Sequence, residues 1–153
     1  MKKLIAIFSL GVLAVLFLAH LGYAQDGAPG APVGRMFDPK TITTVSGEVV
    51  SVDKIPAPRP GMQGRVTFNL KTDKETLLVY LGPDFYLEQQ GARFAPGDKV
   101  QLKGSLVTVD GKPTLIPIEV KKGDQTFKLR DERGVPLWSG AVQGRQKGKG
   151  KQQ

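Results

Sequence analysis

The chain has 153 residues, with 22 Lys or Arg against 14 Asp or Glu, a formal net charge of +8, one histidine and no cysteine. That length suits one ordinary domain. The missing thiols exclude a disulfide scaffold, a cysteine nucleophile, thiol redox chemistry and c-type haem attachment.

Lys2 and Lys3 precede an apolar run from Leu4 to Leu18, and Gly22-Tyr23-Ala24 then offers small residues at the two positions a signal peptidase needs. Residues 1–24 therefore read as a cleavable secretory signal peptide. The rival is an uncleaved anchor, since Leu4 to Leu21 is nearly long enough to cross a bilayer core of about 20 residues. His20 and the small-residue site favour cleavage. The expected product is exported, periplasmic or secreted, and not membrane-spanning. Cleavage also removes His20, so histidine-based triads and zinc or copper sites of the usual nitrogen–sulfur type are excluded, and no metal or cofactor is expected.

Residues 25–35 (QDGAPGAPVGR) are mostly Gly, Ala and Pro and predict a flexible linker, with order beginning near Met36. The first strand, Thr41 to Val52, sets Val45, Gly47 and Val49 on one face and Val50 and Val52 on the other. That phase change predicts a bulge beside Gly47 or Val49. Pro56, Pro58, Pro60 and Gly61 make a loop. Arg65 to Lys71 alternates with Val66, Phe68 and Leu70 inward. Glu75 to Leu81 answers across a turn at Thr72-Asp73-Lys74, with Leu77, Val79 and Leu81 on one face and Leu78 and Tyr80 on the other.

Asp84 to Gln90 predicts about two helical turns stopped by Gly91, with Phe85 and Phe94 plugging the core. Lys99 to Val109 points Val100, Leu102, Gly104 and Leu106 one way. Asp110-Gly111 is a two-residue hairpin signal, and Lys112 to Lys122 follows with Ile116, Ile118 and Val120 inward. Gln125 to Arg130 and Val135 to Ser139 flank the turn Asp131 to Gly134 and suggest an added hairpin packing Phe127, Leu129, Leu137 and Trp138 onto the body. Residues 141–153 form a basic Gly/Lys tail with Arg145, Lys147, Lys149 and Lys151 and no acid.

Three strands, a short helix and two more strands, the first strand bent, is the plan of a small five-stranded OB-like barrel. The expected fold is all-β, with the helix between strands three and four and a C-terminal hairpin extension, over residues 36–140. The segments MFDPKTITTVSGEVVSVD, KTDKETLLVYLGPDFYLEQQ, GDKVQLKGS, DGKPTLIPIEVKKGD and LRDERGVPLWSG resemble a group of small exported bacterial proteins. That resemblance spans the whole predicted domain, and LRDERGVPLWSG is its most distinctive part. It implies an OB-like fold and only a broad nucleic-acid-binding label, and the plan is also similar to the periplasmic bacterial OB-fold group.

Chemistry is left to carboxylates, lysines, tyrosines and hydroxyls. Asp131-Glu132 is the densest acidic spot, but it sits between Arg130 and Arg133 in a turn, where paired charges ordinarily form a solvated corner. It also lacks the spaced acidic loop of a calcium site. Gly61-Met62-Gln63-Gly64 opens no helix and is not a phosphate loop.

OB barrels bind chains across strands two and three and the flanking loops, where rings stack and Lys or Arg meet phosphates. The candidate ligand-binding residues are Arg59, Arg65, Lys71, Tyr80, Lys103 and Lys112. Trp138 reads rather as the anchor of the terminal hairpin. Two functions follow. One is a non-enzymatic exported binding module for an anionic or extended partner, such as nucleic acid or acidic polysaccharide. The other is a structural or protein-interaction module of the cell envelope that pairs a strand edge with a protein partner.

Overall fold

The computed structural model describes residues 33–140. The expected signal peptide, the linker up to residue 32 and the basic tail lie outside the described residues. Two 3-10 turns, Val33–Met36 and Pro39–Thr41, lead into six strands and one helix: β1 Ile42–Ile55, β2 Arg65–Lys71, β3 Thr76–Pro83, α1 Asp84–Gln89, β4 Lys99–Val109, β5 Lys112–Lys122 and β6 Gln125–Lys128.

β1 serves two neighbours. Ile42 to Glu48 pairs antiparallel with β4, and Glu48 to Ile55 pairs with β2. Between Val49 and Ser51 the β1–β2 ladder slips by one residue. Val50 is the extra residue and stands 51% exposed, so Val49 and Val52 both turn toward the core although three apart. This is the predicted bulge, and it bends the strand around the barrel.

β2 and β3 form the predicted hairpin, with Val66, Phe68, Leu70, Val79 and Leu81 in the core. Burying each such side chain contributes roughly 1.5–3 kcal/mol. β4 and β5 turn at Asp110 (φ 49°) and Gly111 (φ 73°), the two left-handed residues of a type I′ turn. β3 and β5 run parallel and pair at Leu78↔Thr114 and Val79↔Leu115, which closes the circuit β1-β2-β3-β5-β4-β1. With α1 between β3 and β4, this is the expected five-stranded OB plan. β6 adds to β5 as a sixth strand.

Leu87 of α1 seals one end of the core together with Ala92 and Phe94. Phe94 meets Phe68 at 5.5 Å and Phe127 at 5.9 Å between ring centroids. The expected plug was Phe85 with Phe94; Phe85 is half-buried and outside the cluster, because in so short a helix Leu87 takes the inward position.

On β5 the expectation of Ile116, Ile118 and Val120 on one inward face does not hold. Leu115 and Val120 belong to the core cluster, while Ile116 and Ile118 are buried outside it. The β4–β5 ladder slips between Lys103 and Gly104, and this exchanges the faces along β5. The outer side is covered as well. Ile116 pairs with Ser105, whose hydroxyl receives the Asp38 N–H (3.0 Å) and meets the Thr41 hydroxyl (2.8 Å). Ile118 O receives the N–H groups of Leu129 (2.7 Å) and Arg130 (3.1 Å). A strand covered on both faces reads as one apolar run, which periodicity alone cannot phase. At the slip, Gly104 lies against Pro117, whose Cα would stand 2.6 Å from any added Cβ, so no larger residue fits.

Candidate functional site

The six sequence-selected residues do not converge. Arg59, in the β1–β2 loop, and Arg65, at the start of β2, are exposed at one end of the barrel. Lys71 ends β2, and Lys112 starts β5 at the far end, since the β2–β3 and β3–β5 registers carry both residues level with Thr76. A seven-residue strand, roughly 20 Å at ~3.3 Å per residue, separates the two pairs. None of these four forms an ion pair with a described residue.

Lys103 and Tyr80 are engaged within the chain. Lys103 Nζ donates to Glu132 Oε1 at 2.9 Å. Tyr80 holds the Arg130 guanidinium 5.8 Å from its ring centroid. Its ring is thus already occupied on one side.

Arg130 is the residue that sequence reasoning missed. Strand alternation past Phe127 and Leu129 points it outward, where an arginine is ordinarily solvated. Instead it is 2% exposed. The parallel β3–β5 ladder, continued at the same offset, would set Leu81 opposite Pro117, which has no N–H to donate. Arg130 Nη1 fills that gap by donating to Pro117 O (2.7 Å) and Leu81 O (3.3 Å). The guanidinium carbon lies over the Trp138 ring, 4.7 Å from its centroid, and over the Tyr80 ring at 5.8 Å.

Nε and Nη2 of Arg130 have no hydrogen-bond partner among the described residues, and attraction to the two rings offsets their desolvation. Burial lowers the guanidinium pKa to about 10, which leaves it charged at neutral pH. Arg130 is a side-chain rung that closes the barrel seam.

The segment after Arg130 folds back as a latch. Arg130 bridges Pro136, and the Asp131 N–H donates to Val135 O at 3.0 Å. Asp131 Oδ1 accepts the backbone N–H groups of Val135 (2.8 Å) and Arg133 (2.9 Å). These bonds, the Val135 one foremost, hold the Asp131 carboxyl below its ordinary pKa. Asp131 is therefore a turn former, and Glu132 faces Lys103 instead of pairing with it as a second acid.

Trp138 lies flat on β3 at Gly82, where an added Cβ would stand 2.7 Å from the indole and φ is +148°. Tyr86 of α1 meets the same indole at 5.5 Å. The predicted anchoring role of Trp138 holds, whereas Leu137 is 43% exposed and does not pack as expected.

Two concavities among the described residues offer further candidate surfaces. A shallow groove of about 650 Å³ crosses β1, β4 and the end of β5, with Glu48, Lys99 and Lys121 at its rim. A cleft of about 550 Å³ lies between α1 and β1 over Val66, Leu87 and Phe94. Three of its charges are paired, Lys54 with Asp84 at 3.2 Å and with Glu88 at 3.9 Å, and Arg93 lines it as well. Among the described residues no group of three or more His, Cys, Asp or Glu could hold a metal ion, and no helix is long and apolar enough to cross a membrane.

No curated protein matches the chain at a significant level. Residues 41–127, from the start of the barrel to β6, match the MamS/MamX magnetosome protein family. The match takes in all five barrel strands and stops before Arg130 and the latch. On that coverage, the chain belongs to the MamS/MamX magnetosome protein family.

Proposed function

We propose that this chain is an exported, non-enzymatic protein-interaction module of the cell envelope that works among magnetosome proteins. The family match carries the reading. It favours a structural or interaction role over the nucleic-acid label that the resemblance implied. The geometry of the ligand face supports the same choice. Sequence-tolerant strand binders offer several free rings along one basic track. Here Tyr80 holds Arg130, Trp138 covers Gly82, and the candidate cations Arg59 and Arg65 stand at the opposite end from Lys71 and Lys112.

The test is made in a magnetosome-forming bacterium with the tagged full chain. The expected result is co-fractionation with isolated magnetosomes and a protein partner retained in 1 M salt, roughly the range where exposed charge pairs are screened within a few ångströms. Purified chain ending at Gln143 is titrated in parallel with single-stranded DNA and with heparin. Salt-sensitive binding to either by this tail-less chain, without a salt-resistant protein partner, would overturn the reading in favour of a polyanion ligand.

A further inference from the structure

We propose that the β1–β2 loop, Ile55 to Gly64, is a preformed proline arm that docks in an aromatic-lined, acid-rimmed groove of a partner protein. The inference rests on the protein-interaction reading and names the surface and the partner chemistry. Every residue from Ile55 to Pro60 is either a proline or the residue before one. Proline fixes its own φ, and its ring drives the preceding residue out of the helical region into extended conformations. The arm is therefore stiff by covalent geometry and needs no packing to hold it.

It ends in a type II turn. Pro60 and Gly61 (φ +85°) are the central residues, and the Met62 N–H donates to Arg59 O at 3.2 Å. The root is fixed, because Ile55 pairs with Arg65 and Gly64 O receives the Asp84 N–H at 3.3 Å. Between root and tip, residues 55 to 63 are all exposed.

The chain leaves β1 at Ile55 and bends at Pro58 and Arg59 before the turn. Pro56, Ala57, Pro58 and Pro60 are apolar, and Arg59 is the cation among them. Ile55 and Met62 leave 37% and 54% of their surface in water, in a segment with no acid between Asp53 and Asp73. Of the acids near its root, Asp84 and Glu88 are held by Lys54, so Arg59 and Arg65 are left for a partner's carboxylates. The exposed proline rings and Met62 of a restricted chain fit a groove floored with rings, and little conformational entropy is lost on docking.

The experiment places a photo-crosslinking amino acid in the full chain at Pro58 or Met62, with Lys112 and Thr126 as control positions on other surfaces. A single protein adduct is expected from the arm positions and none from the controls. With that protein purified, Pro56→Ser/Pro58→Ser/Pro60→Ser and Arg59→Glu are each expected to weaken binding about tenfold or more with unchanged melting temperature. Poly-L-proline should compete, and heparin should not. Adducts only from the control positions, or full affinity of the triple variant, would overturn the arm while leaving the interaction reading intact. Adducts from no position would overturn both. Displacement by heparin alone would assign the loop to a polyanion.

Discussion

Arg130 and Gly82 show how single residues set the closing seam. The Arg130 cation is retained at 2% exposure because two carbonyls and two rings face it. Lysine can reach carbonyls but has no planar group to lay over rings. Arg130→Lys is expected to cost about 2 kcal/mol and Arg130→Ala about 4 kcal/mol in urea unfolding, the second leaving both carbonyls bare. Gly82→Ala forces the indole off β3. Trp138 is the only tryptophan in the chain, so its emission reads the latch directly. A red shift with a loss of roughly 2 kcal/mol is expected for Gly82→Ala, and an unchanged emission maximum would show that the ring sits elsewhere.

At the scale of elements, what was legible followed from period and turn chemistry. The alternation of β2, the Asp110-Gly111 turn and the phase change in β1 each came from side-chain types that admit one backbone. The faces of β5 did not, because a strand covered on both sides carries no polar face to phase it. The seam was hidden for another reason: Pro117 ends a parallel ladder with a residue far along the chain, and no local pattern announces a donor arriving from Arg130. The six candidate residues were visible as charges and a ring, but the separation of Arg59 and Arg65 from Lys71 and Lys112 is a matter of register.

The latch turn depends on the Asp131 carboxylate, whose folded pKa is lowered below 3.8. A lowered carboxyl pKa contributes stability above its unfolded value, and the contribution is lost as pH falls through the folded value. Asp131→Asn keeps an oxygen for the Val135 and Arg133 N–H groups but not the charge. The melting-temperature gap between the natural chain and Asp131→Asn is expected to be constant above about pH 5 and to narrow progressively below about pH 4. A gap that does not narrow with acidification would assign the effect to shape.

For the whole molecule, barrel and latch are expected to unfold as one body, since the contacts that extend the seam beyond the β3–β5 ladder come from residues 130 to 138. A chain ending at Lys128 removes Arg130 and Trp138 and uncovers Ile118, and it is expected to bind hydrophobic dye and to lose its sharp thermal transition. A chain ending at Gln143 keeps every contact named here and should melt with the full-length protein. Equal transitions for both would show that the barrel closes without its side-chain rung.

The position of that rung also sets a timetable. Strands paired early in synthesis, β1 with β2 and β2 with β3, can form hairpins at once, but the circuit waits for β5 and is locked only when residue 130 arrives. Late, long-range closure slows folding. For a chain exported as proposed, that delay is an asset: nearly the whole length can thread a translocation channel before anything inside it becomes too stable to pull apart.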